Sequence, residues 1–509
     1  MQKPAESGGH GENPIPAHYK MIIPHPLPKC NAPAQFTLPE YSGRVSANLA
    51  KTQNPDFSRT RGRGLFCFAA GSGILKYSGR TYRLAQQDFS AGSRVSGSGE
   101  RDGSRMKYVV LLCDGMADTP CEALGGRTPM EAADKPHMDA LAGKSEVGLA
   151  RTVPAGLAPG SDVANLTVLG YDAKACYTGR SPLEAANIGI ELKEDDVAFR
   201  CNLVTLSDEA DFAEKTILDY CAGDIHTADA APLIEAVQAA FGGGEFDFYT
   251  GTAYRHCMVW HGGKTALGTL TPPHDITGRV IGGYLPRHPD AAPLLAMMEK
   301  SGAVLKDHPV NRERQAKGLP PANAVWLWGQ GKRPALPNFK ERYGVEGAMV
   351  SAVDLLKGIG RLAGMEVCTV PGATGYIDTN YEGKRRAAAE ALRGGKDFAY
   401  IHVEAPDECG HRGEAANKVK AIEDIDRRIL GPLLEELAEM GDFSLLVAPD
   451  HPTPLAIRTH SADPAPYLLY RSFAPAAGGP ARFTEALARQ TGRMVDPGYR
   501  LMDKLLGRE

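Results

Sequence analysis

Residues 398–411 read Phe398-Ala399-Tyr400-Ile401-His402-Val403-Glu404-Ala405-Pro406-Asp407-Glu408-Cys409-Gly410-His411. The run through Val403 has the apolar character of a strand buried on both faces, Pro406 closes it, and Asp407 stands just past its carboxyl end. The same design occurs twice more. Tyr108 to Cys113 runs into Asp114-Gly115, and Phe443 to Ala448 runs into Pro449-Asp450-His451. In an open α/β sheet, the carboxyl end of the strands is where ligands bind.

Helical patterns separate these runs. Lys384 to Arg393 is rich in Ala and Arg, and from Asn417 to Met440 the residues Val419, Ile422, Ile425, Ile429, Leu433 and Leu437 recur at helical spacing. Strand and helix alternating over this length predict an α/β fold, with a mostly parallel sheet covered by helices on both faces.

With 509 residues, the chain exceeds what one hydrophobic core supports. Its formal net charge of -4 argues against general nucleic-acid binding, which needs concentrated Lys and Arg, and favours a small-molecule partner. Its 10 cysteines are scattered without a CxxC pair and read as buried reduced thiols. No segment has the roughly 20 consecutive apolar residues of a membrane span, and no secretory leader is recognisable, so a cytoplasmic location without membrane association is expected. Residues 1–105, rich in Gly, Ser, Pro and Arg, predict a disordered extension. Met106 stands directly before the first strand and is a candidate initiation site.

The acidic strand ends gain meaning from histidines. Asp407 and His411 are four apart, so a helical turn starting there aims both side chains the same way. Asp450 and His451 are adjacent, and His460 follows in the same loop. One Asp after a strand is commonly only a turn or helix cap. Three Asp with three His point to metal ligation, and mixed carboxylate and imidazole donors suit Mn²⁺ or Zn²⁺ better than Mg²⁺. Ser161 is delivered by the loop Val153 to Gly160, ahead of a predicted helix start at Val163 to Leu166. It serves either as an N-cap or as a nucleophile, activated by the helix terminus and a cation.

The ordered set Asp114-Gly115, Gly160-Ser161-Asp162, Asp407-x-x-x-His411, Asp450-His451 and His460 resembles the alkaline phosphatase superfamily, and within it the cofactor-independent phosphoglycerate mutases of archaeal type. The strings Tyr177 to Pro182 and Ala198 to Asn202 share in the resemblance, which runs from Met106 to near the C-terminus. It implies that Asp407, His411 and His460 hold one metal ion and that Asp114, Ser161, Asp450 and His451 hold a second. Mn²⁺ is the expected ion, with Zn²⁺, Co²⁺ or Mg²⁺ as alternatives, and 2,3-bisphosphoglycerate is not required. The resemblance also implies a discontinuous metal-binding domain, 106–183 and 322–509, and a smaller inserted α+β domain, 184–321, that closes over substrate.

Arg255 and His256, together with His274 and Arg279, concentrate cations and imidazoles in polar turns of that insert. Arg suits bidentate capture of phosphate or carboxylate. Arg180 and Lys332 are further candidates for substrate contact, as is Asn165, which stands four residues beyond Ser161 where the family commonly has His. The implied reaction interconverts 3-phosphoglycerate and 2-phosphoglycerate through a phosphoserine. The Asn165 subgroup also resembles homoserine-kinase-like phosphotransferases, and a metal-dependent phosphomonoesterase is a further alternative. No Walker-type nucleotide loop is present to support a kinase. The sequence leaves the oligomeric state open.

Overall fold

The computed structural model describes residues 105–509 and, before them, the paired antiparallel strands Ile74–Tyr77 and Arg80–Arg83. The expectation of a disordered extension over 1–105 otherwise falls outside the described residues.

Eight strands form the larger sheet, in the order Glu366–Cys368, Gly347–Val350, Phe398–Val403, Lys107–Cys113, Phe443–Ala448, Ala465–Arg471, Glu146–Ala150 and Met494–Val495. Only Ala465–Arg471 runs against the others. The three runs ending in an acid are therefore immediate neighbours at the middle of the sheet, with Lys107–Cys113 between its two later partners.

Their continuous apolar character follows from burial on both faces. Val109, Leu111, Ile401, Val403, Leu445 and Val447 point into one core. The alternate residues Val110, Leu112, Phe398, Tyr400, Leu446 and Ala448 point into the other. The larger of these side chains each contribute roughly 1.5–3 kcal/mol on burial.

Helices Tyr381–Arg393, Ala415–Asp424 and Gly431–Met440 cover the first face through Leu392, Ile422 and Leu433. On the second, Ser161–Val168 and Asp354–Leu362 pack through Leu166 and Leu356. The helix expected over Asn417 to Met440 runs without a break but widens to a π-helical stretch at Ile425–Leu430. Pro432 explains the widening, because it has no N–H for the carbonyl four residues back.

The smaller sheet is antiparallel. Val197–Leu206 pairs with Arg255–Trp260 and Ile217–Asp219, and Phe246–Thr252 pairs with Arg255–Trp260. The remaining strand, Ala324–Lys332, also pairs with Val197–Leu206 and begins just beyond the expected limit of the insert at 321. Helices Thr227–Phe241 and Ala292–Leu305 cover one face through Leu233, Val237, Leu294 and Met298.

Among the described residues, no helix is long and apolar enough to cross a membrane. The cysteines among them are free, and most are buried.

Candidate metal centre and adjoining cavity

The tight turn after Cys113 brings the acidic ends together. Gly115 adopts φ +62°, and a Cβ there would lie 2.6 Å from both the Asp407 backbone and the Thr453 hydroxyl. Only glycine lets the Asp114 turn and the Asp407 helix approach this closely. Asp407 and His411 share helix Ala405–Arg412, and His411 Nε2 lies 3.2 Å from Asp407 Oδ2. His460 Nε2 lies 2.9 Å from His411 Nε2 and 3.5 Å from Asp407 Oδ1. These residues make one end of the cluster. At the other end, His451 Nε2 lies 3.4 Å from Asp450 Oδ2 and 3.8 Å from Asp114 Oδ1. Ligand atoms of Asp407, His451 and His460, and likewise those of Asp114, Asp450 and His451, lie within 4.8 Å of one another.

Ser161 is the first residue of helix Ser161–Val168, and Gly160 is its N-cap. The hydroxyl is thus free of capping and stands 3.2 Å from His451 Nε2. All six Asp and His residues expected as ligands therefore converge, with Ser161 against the Asp114 end.

The donor set fits cations. Asp114 Oδ1 is buried without a hydrogen-bond partner, which is costly for a carboxylate unless a positive charge faces it. Burial, with the Asp450 and Asp407 carboxylates beside it, holds Asp114 well above the ordinary carboxylate range. Burial also acts to raise Asp407, but hydrogen bonds with His411 and His460 outweigh it and keep this carboxyl well below its usual range. The hydrogen bond to Asp407 pushes His411 up to about 9.

Several side chains that bond to these acids and histidines gave no such signal in the sequence. His402, inside an apolar strand, places Nε2 2.8 Å from Asp114 Oδ2, and Ser351 Oγ is 3.1 Å from its Nδ1. Burial lowers His402 to about 3. It is therefore neutral, and donation through Nε2 leaves Asp114 Oδ1 as the free oxygen. Lys384 Nζ donates to the His402 carbonyl at 3.1 Å.

Asn165, expected to contact substrate, is instead fully buried. Its Nδ2 donates to Asp450 Oδ2 and to the Ser161 carbonyl, both at 2.8 Å, and Tyr400 donates to its Oδ1 at 2.6 Å. Its amide is thus occupied with the Asp450 carboxylate and the Ser161 backbone.

A cavity of about 320 Å³ is lined by Glu404 and Glu408, which flank Asp407 in the chain, and by Arg180, Glu184, Arg255 and His256. His256 is buried, and its Nδ1 accepts from Gly251 N at 3.1 Å. The proton therefore resides on Nε2, which has no partner. Arg180 pairs with Glu184 at 3.0 Å, and Arg255 lies over the Tyr254 ring at 5.2 Å. His274 is half exposed, edge-on to Trp328 and Tyr220. Arg279 is exposed and donates to the Tyr284 hydroxyl at 3.2 Å, while Lys332 borders a separate depression with Thr178 and Arg333. The structure thus brings Arg180, Arg255 and His256 to the cavity, and it holds His274, Arg279 and Lys332 away from its lining.

Residues 142–311 match the family model described as 2,3-bisphosphoglycerate-independent phosphoglycerate mutase. The chain is 52% identical over 403 residues to a probable 2,3-bisphosphoglycerate-independent phosphoglycerate mutase of Geobacter sulfurreducens, covering 79% of this chain and 100% of that protein. It is also 52% identical over 365 residues to the enzyme of that name from Methanothrix thermoacetophila, covering 72% and 90%. Among solved structures, it resembles the cofactor-independent phosphoglycerate mutase of Thermoplasma acidophilum at 29% identity and TM-score 0.55, covering 79% of this chain and 99% of that one.

Proposed function

The chain belongs to the 2,3-bisphosphoglycerate-independent phosphoglycerate mutase family, and on that premise we propose that it interconverts 3- and 2-phosphoglycerate through a phosphoserine at Ser161. The observation that carries this reading is the Ser161 hydroxyl, free of capping and facing two groups of ligand atoms that share His451. Two divalent cations, one held by Asp407, His411 and His460 and the other by Asp114, Ser161, Asp450 and His451, would lower the pKa of that hydroxyl and neutralise the phosphoryl oxygens. The mixed donors favour Mn²⁺.

Ser161 Oγ forms its bond to phosphorus as the ester bond to glycerate breaks. The proton lost by the serine is matched by the one glycerate takes up. Glycerate then turns within the cavity, its other hydroxyl attacks the phosphoserine, and Ser161 regains its proton. Arg180 and Arg255 hold the anionic groups during both steps, and His256 Nε2–H donates to an acceptor oxygen in the cavity. The segment 184–321 excludes water, which would otherwise hydrolyse the phosphoserine. A cytoplasmic location suits a small phosphorylated metabolite.

Phosphorus NMR of the Mn²⁺-loaded protein, quenched with chelator after incubation with 3-phosphoglycerate, tests the reading. Formation of 2-phosphoglycerate without 2,3-bisphosphoglycerate supports it. Release of inorganic phosphate alone overturns it, as does formation of O-phosphohomoserine from ATP and homoserine in place of isomerisation.

A further inference from the structure

Thr453 lies two residues beyond His451, is fully buried, and bonds to both ends of the cluster. Its Oγ1 contacts Asp407 Oδ1 at 2.5 Å and His451 Nδ1 at 3.3 Å. Asp407 belongs to the group with His460, and His451 belongs to both that group and the one containing Asp114 and Asp450. Among the described side chains around the cluster, this hydroxyl is the one bonded to ligands from both ends.

A hydroxyl has one proton to donate, and its lone pairs accept. The Asp407 carboxylate can only accept, so the Thr453 proton goes to Oδ1. The contact with His451 must then run the other way, with Nδ1–H donating to the threonine oxygen. That assignment places the His451 lone pair on Nε2, the atom 3.2 Å from Ser161 Oγ and 3.4 Å from Asp450 Oδ2. It also engages Asp407 through Oδ1. Resting on the two-cation reading, we infer that Thr453 is a positioning residue that fixes the His451 tautomer and the Asp407 carboxylate together, so that both cation sites depend on one hydroxyl.

The surroundings hold Thr453 in this role. Its backbone N–H donates to the Ala117 carbonyl at 3.2 Å, and its own carbonyl accepts from Lys418 Nζ at 2.8 Å. Lys418 is wholly buried and is held by Asp118 Oδ2 at 2.7 Å, and the Asp118 carboxylate also receives the Leu455 N–H. Gly115 and Gly410 crowd it from two sides, where an added Cβ would lie 2.6 Å from its hydroxyl and from its carbonyl, respectively.

Thr453→Val replaces the hydroxyl with a methyl of nearly the same volume, and Thr453→Ser retains it. Calorimetric titration of each metal-free protein with Mn²⁺ is expected to show both cations bound about tenfold or more weakly in the valine variant, as is usual for loss of a group that orients a ligand. The serine variant should bind within a few-fold of the parent, and the metal-free melting temperatures separate loss of fold from loss of positioning. Weakening at one site alone, no weakening, or a serine variant as poor as the valine overturns the inference. A parent protein that binds fewer than two Mn²⁺ overturns the two-cation reading itself, and this inference with it.

Should the valine variant not fold, histidine-labelled parent protein loaded with Zn²⁺ gives the same answer by ¹⁵N–¹H NMR. A hydrogen-bonded, slowly exchanging Nδ1–H on His451 is expected, and one exchanging freely with solvent rules the inference out.

Discussion

The carboxyl end of the large sheet and the cavity beside the small one differ in which polar atoms they leave unsatisfied. At the sheet end, the unpaired buried atom is an acceptor, Asp114 Oδ1. In the cavity wall it is a donor, His256 Nε2, with its proton assigned by the bond from Gly251. Buried polar groups are almost always paired, so each orphan indicates whether its absent partner must donate or accept. On the proposed reading, a cation completes the first region and an acceptor oxygen of the substrate the second. On the proposed reading, a phosphorylated substrate in the cavity would present its anionic groups to Arg180, Arg255 and His256.

The sharpest way to break this division is at the proposed nucleophile. Ser161→Ala should lower isomerisation on the order of 10³-fold or more while calorimetry still finds Mn²⁺ bound; full activity by phosphorus NMR would remove the serine from the chemistry. Next in size is Asp114→Asn, which should weaken Mn²⁺ binding beyond the roughly 10–100-fold typical of outer partners. Its residual activity should keep the parental KM for phosphoglycerate. His256→Phe should show the opposite split, with KM raised about tenfold for loss of one hydrogen bond to a charged group and Mn²⁺ affinity unchanged. If His256→Phe weakened the metal, or Asp114→Asn moved KM, the division into cation and substrate regions would fail.

The smallest effect concerns the support behind the metal end. Burial lowers Lys384 to about 8, against roughly 10.4 in an unfolded chain. Between those values the unfolded chain binds more protons, so this group's contribution is complete above the upper value and is lost as pH falls toward the lower one. The melting temperature should therefore gain from this residue as pH rises from 8 toward 10. Lys384→Met should flatten that rise, and an unchanged pH profile would show that Lys384 titrates normally.

How much of this was legible in the sequence depends on how local each feature is. The convergence of the acids could be read because each closes an apolar run, and that pattern spans fewer than about ten residues. Lys107–Cys113 lying between two strands from the far end of the chain could not, since periodicity is silent on strand order. His402 looked like a strand interior residue because its partner, Asp114, is 288 positions away. The bond that occupies the Asn165 amide, to Asp450, crosses 285 positions. Arg279 and Lys332 had the right chemistry for anion binding, but composition carries no direction, and the fold uses Arg279 on the Tyr284 hydroxyl.

The position of Lys107–Cys113 also bears on how the chain is made. Both strands that flank it, Phe398–Val403 and Phe443–Ala448, emerge from the ribosome only after most of the polypeptide. Until then, one of its most apolar segments has two open edges, a template for pairing with other chains. Closing loops of this length is slow. Chains terminated before Phe398 should therefore aggregate, whereas the complete chain can cover both edges.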